Sequence, residues 1–233
     1  MDADQNMRVT FLERLNRFVA HVRLEDGTTA QVHVASSGRM TELLTPGIPA
    51  EITYNPRPDK KTAGTLTMVA NGDTWVSVDT GFPGKLLRTE ITNLPPFAGY
   101  TRVKPEHKYG DSRIDFFLTA DDLPPCLIEV KSVTSVLPDP DGVRVARFPD
   151  APTDRGAKHL RELVKATTEG YRSAVLFMIQ RNDADAMGPW DEIDPAFGAE
   201  LRAAHAAGVE VHAWCLCVAP EKTVIARPVS LRL

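Results

Sequence analysis

The chain is short of cysteine, short of aromatic residues, without an excess of positive charge and without a long apolar run. Each shortage excludes something. Three cysteines in 233 residues cannot make a disulfide framework, since one is always left over. Cys215 and Cys217 stand two apart in VHAWCLCVA, where a strand turns both to one face. No second Cys or His pair follows to complete a metal site, so both read as buried thiols. Aromatic residues are 7% of the chain, and Trp75, Trp190 and Trp214 read as core rather than as stacking platforms. No apolar run approaches the roughly 20 residues of a membrane span. The opening MDADQNMRVTF lacks the basic-then-apolar pattern of a secretory leader. A cytoplasmic protein with no membrane partner is expected. The net charge of -4 argues against a globally basic nucleic-acid binder. It leaves room for a local basic cleft, because affinity follows the charge that faces the phosphates.

What is there is ordinary globular material: 42% apolar and 25% charged residues, enough for a sizeable core without a covalent staple. Residues 1–80 read as about five short strands. RFVAHVRLEDGTTAQVHVASSG places Phe18, Ala20, Val22 and Leu24, then Ala30, Val32 and Val34, in alternation around an Asp-Gly turn, a hairpin signal. MTELLTPG suits one helical turn. PAEITYNP, GTLTMVANG and TWVSVDT add strands, and the count fits a small OB-like barrel. RPDKKTAG is a basic, turn-rich loop, either a solvated hairpin tip or a contact for a phosphate backbone. Tyr54 and Phe18 are available to stack bases, and nothing in the sequence ranks them.

After residue 80 the pattern changes. GFPGKLLRTEITN suits a helix. Thr153 or Asp154 can cap a helix that gathers Ala157, Leu160, Leu163, Val164 and Thr167 on one face. SAVLFMIQ is a continuous apolar strand of the fully buried kind. DPAFGAELRAAHAAG is another helix, with Gly208 at its end. Strand and helix in alternation imply an α/β layer structure over residues 81–233.

The chemistry concentrates in SRIDFFLTADDLPPCLIEVKSVT, residues 112–134. Period-2 alternation sets Ile114, Phe116 and Leu118 on one face and Asp115 on the other; Leu127, Glu129 and Lys131 share a face on the next strand. The turn-rich TADDLPP makes an antiparallel hairpin natural. Packing both apolar faces on one core brings Asp115, Glu129 and Lys131 together. Two carboxylates at short range repel, which raises a proton affinity or demands a cation. Mg²⁺ or Mn²⁺ answers with oxygen ligands, and a lysine beside them can orient a water or neutralise charge on a phosphate in transfer. An E-x-K strand alone more often carries a surface ion pair. Asp, a gap of thirteen residues, then E-V-K, all inside apolar strands, matches the short D-x(n)-E-x-K signature of the PD-(D/E)xK nucleases.

EHKYGDSRIDF, IEVKSVT, FPDAPTDRGAKHLREL and GVEV together resemble the bacterial sugar fermentation stimulation protein A family, over nearly the whole chain. The resemblance implies an α+β two-domain protein, with a small N-terminal OB-like barrel followed by a larger α/β PD-(D/E)xK nuclease-like domain. It also implies DNA binding without sequence preference and a link to sugar metabolism. Carried over by position, the catalytic set is Asp115, Glu129 and Lys131. Asp115, Glu129 and Glu106 are metal ligands, and Arg155, Lys158 and His159 are nucleic-acid contacts from the following helix. Glu90 lies near where related nucleases add a carboxylate. Arg39, in VASSGRM, is a further phosphate contact, although this loop departs from the family's C-P-N-T-G-x-M-like stretch. Arg155, Lys158, Glu162 and Lys165 also track one helix stripe, a pattern equally suited to a solvated face. Three readings follow. One is a Mg²⁺- or Mn²⁺-dependent nuclease acting on DNA, with RNA as a further candidate, whose barrel holds the nucleic acid to the site. Another is a non-catalytic DNA-binding regulator of sugar (maltose) metabolism. The third is a regulator acting through protein or small-molecule contacts.

Overall fold

The structure, a computed structural model, describes residues 5–36, 38–57 and 59–233. These fall into two compact units. The first comprises Met1–Gly81, Gln180–Asp183 and Cys215–Ala226, the second Phe82–Ile179, Ala184–Trp214 and Arg227–Leu233. Among the described residues no helix is long and apolar enough to cross a membrane.

The first unit is built on six strands: β1 (Gln5–Asn16), β2 (Val19–Arg23), β3 (Thr29–Val34), β4 (Pro49–Tyr54), β5 (Gly64–Asn71) and β6 (Thr74–Ser77). They run in the order β3-β2-β1-β4-β5-β6, and an extra β3–β5 pairing closes the first five into a barrel. That circuit is an OB barrel. The alternation in β2 and β3 does the work expected of it: Ala20, Val22, Val32 and Val34 are fully buried beside Phe11, Ile52 and Leu66. Phe18 does not join them. It precedes β2 in the tight turn from β1 and stands 49% exposed. MTELLTPG makes no helix, only a turn in which the Leu44 amide donates to the Met40 carbonyl at 2.9 Å. Gly64 sits where a Cβ would lie 2.3 Å from the Thr53 carbonyl oxygen, so only glycine lets β5 approach β4 this closely.

From residue 82 onward come α1 (Phe82–Glu90), β7 (Arg102–Tyr109), β8 (Ser112–Thr119), β9 (Cys126–Val133), β10 (Ser135–Pro138), β11 (Arg144–Phe148), α2 (Asp154–Thr168), β12 (Arg172–Ile179), β13 (Ala186–Pro189), α3 (Pro195–Ala206), β14 (Glu210–Cys217), β15 (Val224–Pro228) and β16 (Ser230–Leu231). The main sheet has the order β15-β14-β12-β9-β8-β7, and a smaller one has the order β10-β11-β13-β16. β9 and β12 are parallel, joined through α2, as a strand-helix-strand crossover requires. Thr153 caps α2 through its Oγ1, which accepts from the Gly156 amide at 3.0 Å, and Asp194 caps α3 in the same way. The cysteines depart from expectation. Cys126 and Cys215 are buried, but Cys217, the last residue of β14, is exposed between the buried Leu216 and Val218.

Candidate active site

β8 and β9 are antiparallel, with Phe116 opposite Ile128 and Phe117 opposite Leu127. One further step in that register sets Asp115 opposite Glu129. β9 is flanked by β8 and β12, with Val175 paired to Glu129, so the Glu129 position lies inside the sheet. Helix α2 supplies a partner from above. Its Gly156, Ala157, Leu160, Leu163 and Ala166 are buried, and His159 lies on the same buried face. Glu129 is therefore only 3% exposed.

A buried carboxylate must be paired or neutralised. Glu129 Oε1 accepts from Lys131 Nζ at 2.8 Å and from His159 Nδ1. Arg155 Nε donates to His159 Nε2 at 3.4 Å, which leaves Nδ1 as the ring's donor toward Glu129. Glu129 Oε2 is buried with no hydrogen-bond partner among the described residues. Across the hairpin, Asp115 Oδ2 accepts the Val130 amide at 2.7 Å. The two carboxyls differ in consequence. Burial, followed by repulsion from Glu129, pushes Asp115 up to about 6, against the Val130 amide and Lys131. Burial also acts to raise Glu129, but the His159 hydrogen bond and the Lys131 ammonium outweigh it and hold that carboxyl below the usual range.

This donor set fits a hard divalent cation. An orphaned buried oxygen on Glu129 lies across the hairpin from a carboxyl that its charge repels, and a cation resolves both. Among the described residues no group of three or more His, Cys, Asp or Glu forms a cage. Asp115 and Glu129 are the two carboxylates that stand together here.

The other expected residues fall at varying distances from this pair. In β7, Glu106 lies across from Asp115, between Pro105 opposite Phe116 and His107 opposite Ile114. It has φ 54, its carboxylate is exposed 4.0 Å from Arg113, and its charge adds to the upward push on Asp115. Glu90 is engaged locally, accepting from Asn93 and Thr89. Arg155 and Lys158 are exposed on α2 and line a groove of about 370 Å³ with residues 111–113, Asp154 and His159. Lys158 and Glu162 approach to 3.8 Å, so the stripe is partly self-paired. Arg39 is exposed and belongs to the first unit.

His159 departs from the expected role. It is 4% exposed, with Nδ1 turned to Glu129, although it also lines the groove beside Arg155 and Lys158. Its position within the apolar stripe Gly156–Ala157–Leu160–Leu163 was the available signal, since a histidine on a buried helix face needs a polar partner. Arg113, opposite Lys108 on the β7–β8 pair, is a groove cation that no motif marked.

An OB barrel followed by an α/β domain defines the class of protein. Within it, this chain belongs to the sugar fermentation stimulation protein family. Residues 12–78 match the SfsA N-terminal OB domain and residues 81–222 the sugar fermentation stimulation protein RE domain. The sugar fermentation stimulation protein homolog of Symbiobacterium thermophilum is 60% identical over 242 residues, covering 99% of this chain and 96% of that one. The homolog of Moorella thermoacetica is 40% identical, covering 97% of each. Among solved structures, Pyrococcus furiosus SfsA in complex with Ca²⁺ superposes with a TM-score of 0.86 at 26% identity, covering 100% of this chain and 98% of that one.

Proposed function

We propose that the second unit is a divalent-metal-dependent phosphodiesterase acting on DNA without sequence preference, with Asp115, Glu129 and Lys131 as its catalytic residues. One observation carries the reading. Glu129 has one oxygen fixed by His159 and Lys131 and the other buried without a hydrogen-bond partner among the described residues, beside Asp115 on the neighbouring strand. A buried carboxylate oxygen without a donor is a place where a cation can bind. The Ca²⁺ complex of the Pyrococcus relative supports a divalent site in this family.

Asp115 and Glu129 would hold the cation, which when bound supplies a Lewis acid for a phosphate oxygen and a more acidic water. Lys131, with its side chain only 11% exposed and its ammonium on Glu129, holds a positive charge at the mouth of the pair. There it can neutralise charge that grows on the phosphate in the transition state. Arg113, Arg155 and Lys158 give the adjoining groove three cations to two carboxylates, suited to a phosphate backbone read without regard to base. His159 works at one remove, fixing which Glu129 oxygen is free.

The test is a titration of Mg²⁺ and Mn²⁺ with wild type, Glu129→Ala and Lys131→Ala on single- and double-stranded DNA and on RNA. Cleavage is expected from wild type only with metal. Glu129→Ala abolishes it while DNA binding in chelator is kept. Lys131→Ala lowers the rate by about 10²-fold or more with Ca²⁺ affinity little changed. Cleavage that survives in Glu129→Ala overturns the assignment. Wild type that binds DNA but never cleaves leaves a DNA-binding protein without turnover.

A further inference from the structure

The barrel carries its own ligand-sized groove. It measures about 430 Å³, within the range of small-ligand clefts, and is lined by His33 of β3, Thr53 of β4, Arg57, Lys60 and Thr62 of the β4–β5 loop, and the start of β5. Among the described residues no carboxylate lines it. On a chain of net charge -4, a groove with two cations, an imidazole and only neutral polar neighbours is a local inversion of charge. Asp59 and Lys61 of the same loop are not among its lining residues.

At its edge lies Phe18, whose ring is 49% exposed, the one aromatic among the exposed large apolar side chains of the described residues. It stacks on the His33 ring with centroids 6.4 Å apart and planes 22° from parallel. His33 Nδ1 donates to the Phe18 carbonyl at 3.1 Å, tying the ring to the turn that bears Phe18. Burying Phe18 in the barrel would have continued the alternation of β2; instead the tight Asn16–Phe18 turn holds the ring out, with the Phe18 amide on Asn16 Oδ1 at 2.9 Å. An exposed, braced ring beside a basic groove is a platform for a planar group attached to an anion.

We propose that this face of the barrel binds a single strand of nucleic acid, one unpaired base stacking on Phe18 and His33 while Arg57 and Lys60 take the adjoining phosphates. A duplex has its bases stacked on each other and offers Phe18 no free face, so the site discriminates by strandedness and not by sequence. The inference rests on the nucleic-acid reading of the protein for its setting, but not on cleavage or on the α2 groove.

The experiment follows the full chain in chelator by fluorescence anisotropy with a labelled oligothymidylate of about ten nucleotides and with a duplex of matching length. Phe18 is exposed, so its replacement leaves the core untouched. Phe18→Ala is expected to weaken single-strand binding about tenfold, the size of one lost base stack. It leaves duplex binding unchanged, and Phe18→Tyr restores the single-strand affinity. Arg57→Ala with Lys60→Ala lowers the slope of log affinity on log salt by about 1.4, two phosphates' worth on a single strand. In Phe18→Trp the new indole fluorescence is quenched on adding the oligonucleotide. Single-strand affinity unchanged in Phe18→Ala, or a wild type that takes duplex as well as single strand, overturns the inference. If Arg155→Ala with Lys158→Ala alone removes all binding, the α2 groove reading stands and this one falls. Loss in Phe18→Ala with no cleavage under any metal leaves this one standing and the nuclease reading fallen.

Discussion

Asp115 shows the tension of the site in one residue. Its folded pKa of about 6 lies above the ordinary 3.8, with burial the first cause and Glu129 the second. A carboxyl raised in this way contributes stability that is fully present below about 3.8 and lost as pH rises through about 6. At neutral pH the metal-free protein therefore carries a buried, repelled charge, at a cost of order 2 kcal/mol. Asp115→Asn keeps the shape, and its amide oxygen can still accept from the Val130 amide, while the charge is removed. In chelator at about pH 8 the variant is expected to be more stable than wild type by about 1–3 kcal/mol in urea denaturation, with the gap closing at about pH 4. Ca²⁺ raises the melting temperature of wild type and not of Asp115→Asn. A variant less stable than wild type at both pH values would show that the carboxylate serves the fold rather than a cation.

At the scale of the element, α2 determines what β9 can do. The hairpin brings Asp115 and Glu129 face to face, but the helix decides which Glu129 oxygen is occupied, through His159 Nδ1. Asparagine can place a donor near the Nδ1 position, and glutamine near Nε2. His159→Asn is therefore expected to keep Ca²⁺ affinity by calorimetry within about threefold, whereas His159→Gln loses about tenfold or more, the usual size for a lost partner behind a ligand. Equal losses in both would reduce His159 to packing. Much of this element was legible. The apolar spacing from Ala157 to Leu163, the Thr153 cap, the polar Asp115 and Glu129 within apolar strands and the unbroken SAVLFMIQ each impose a local pattern that the structure keeps. The smaller sheet was not legible. β11 pairs with β13 and β13 with β16 across some forty residues, and strands as short and mixed as ARG-VAL-ALA-ARG-PHE at 144–148 or the proline-ended 186–189 have no periodicity of their own. Phe18 read as the first residue of the β2 alternation because alternation assumes that a strand continues, and here a turn intervenes. His159 read as a nucleic-acid contact because the family resemblance groups it with Arg155 and Lys158, while its neighbours around the helix, Gly156 and Leu163, are buried.

Across the whole molecule, acid stability should be governed by a tie away from the site. Arg172 of β12 donates to Glu210 of β14 from Nε at 2.5 Å and from Nη2 at 2.8 Å, and His212 Nε2 lies 2.8 Å from the same carboxylate. The guanidinium also lies 5.5 Å from the Phe97 ring and 5.9 Å from that of Tyr100, joining two strands of the main sheet to the segment before β7. Burial acts to raise Glu210, but the hydrogen bonds from Arg172 and His212 overcome it and bring the carboxyl down from 4.5 to about 2. A depressed carboxyl contributes stability that is present above about 4.5 and lost as pH falls through about 2. The group is half-exposed, and water screens the pair, so the contribution is about 1 kcal/mol rather than the full value of the shift. Glu210→Gln keeps the volume and one acceptor for Arg172 but removes the charge. It is expected to be less stable than wild type by about 1 kcal/mol at neutral pH in urea denaturation followed by far-ultraviolet circular dichroism. The difference shrinks through the window between 4.5 and 2 as the wild-type carboxyl takes up its proton. A gap that stays constant down to the lowest pH would mean that Glu210 acts through shape and hydrogen bonding alone, and that the charge on this tie contributes nothing to the fold.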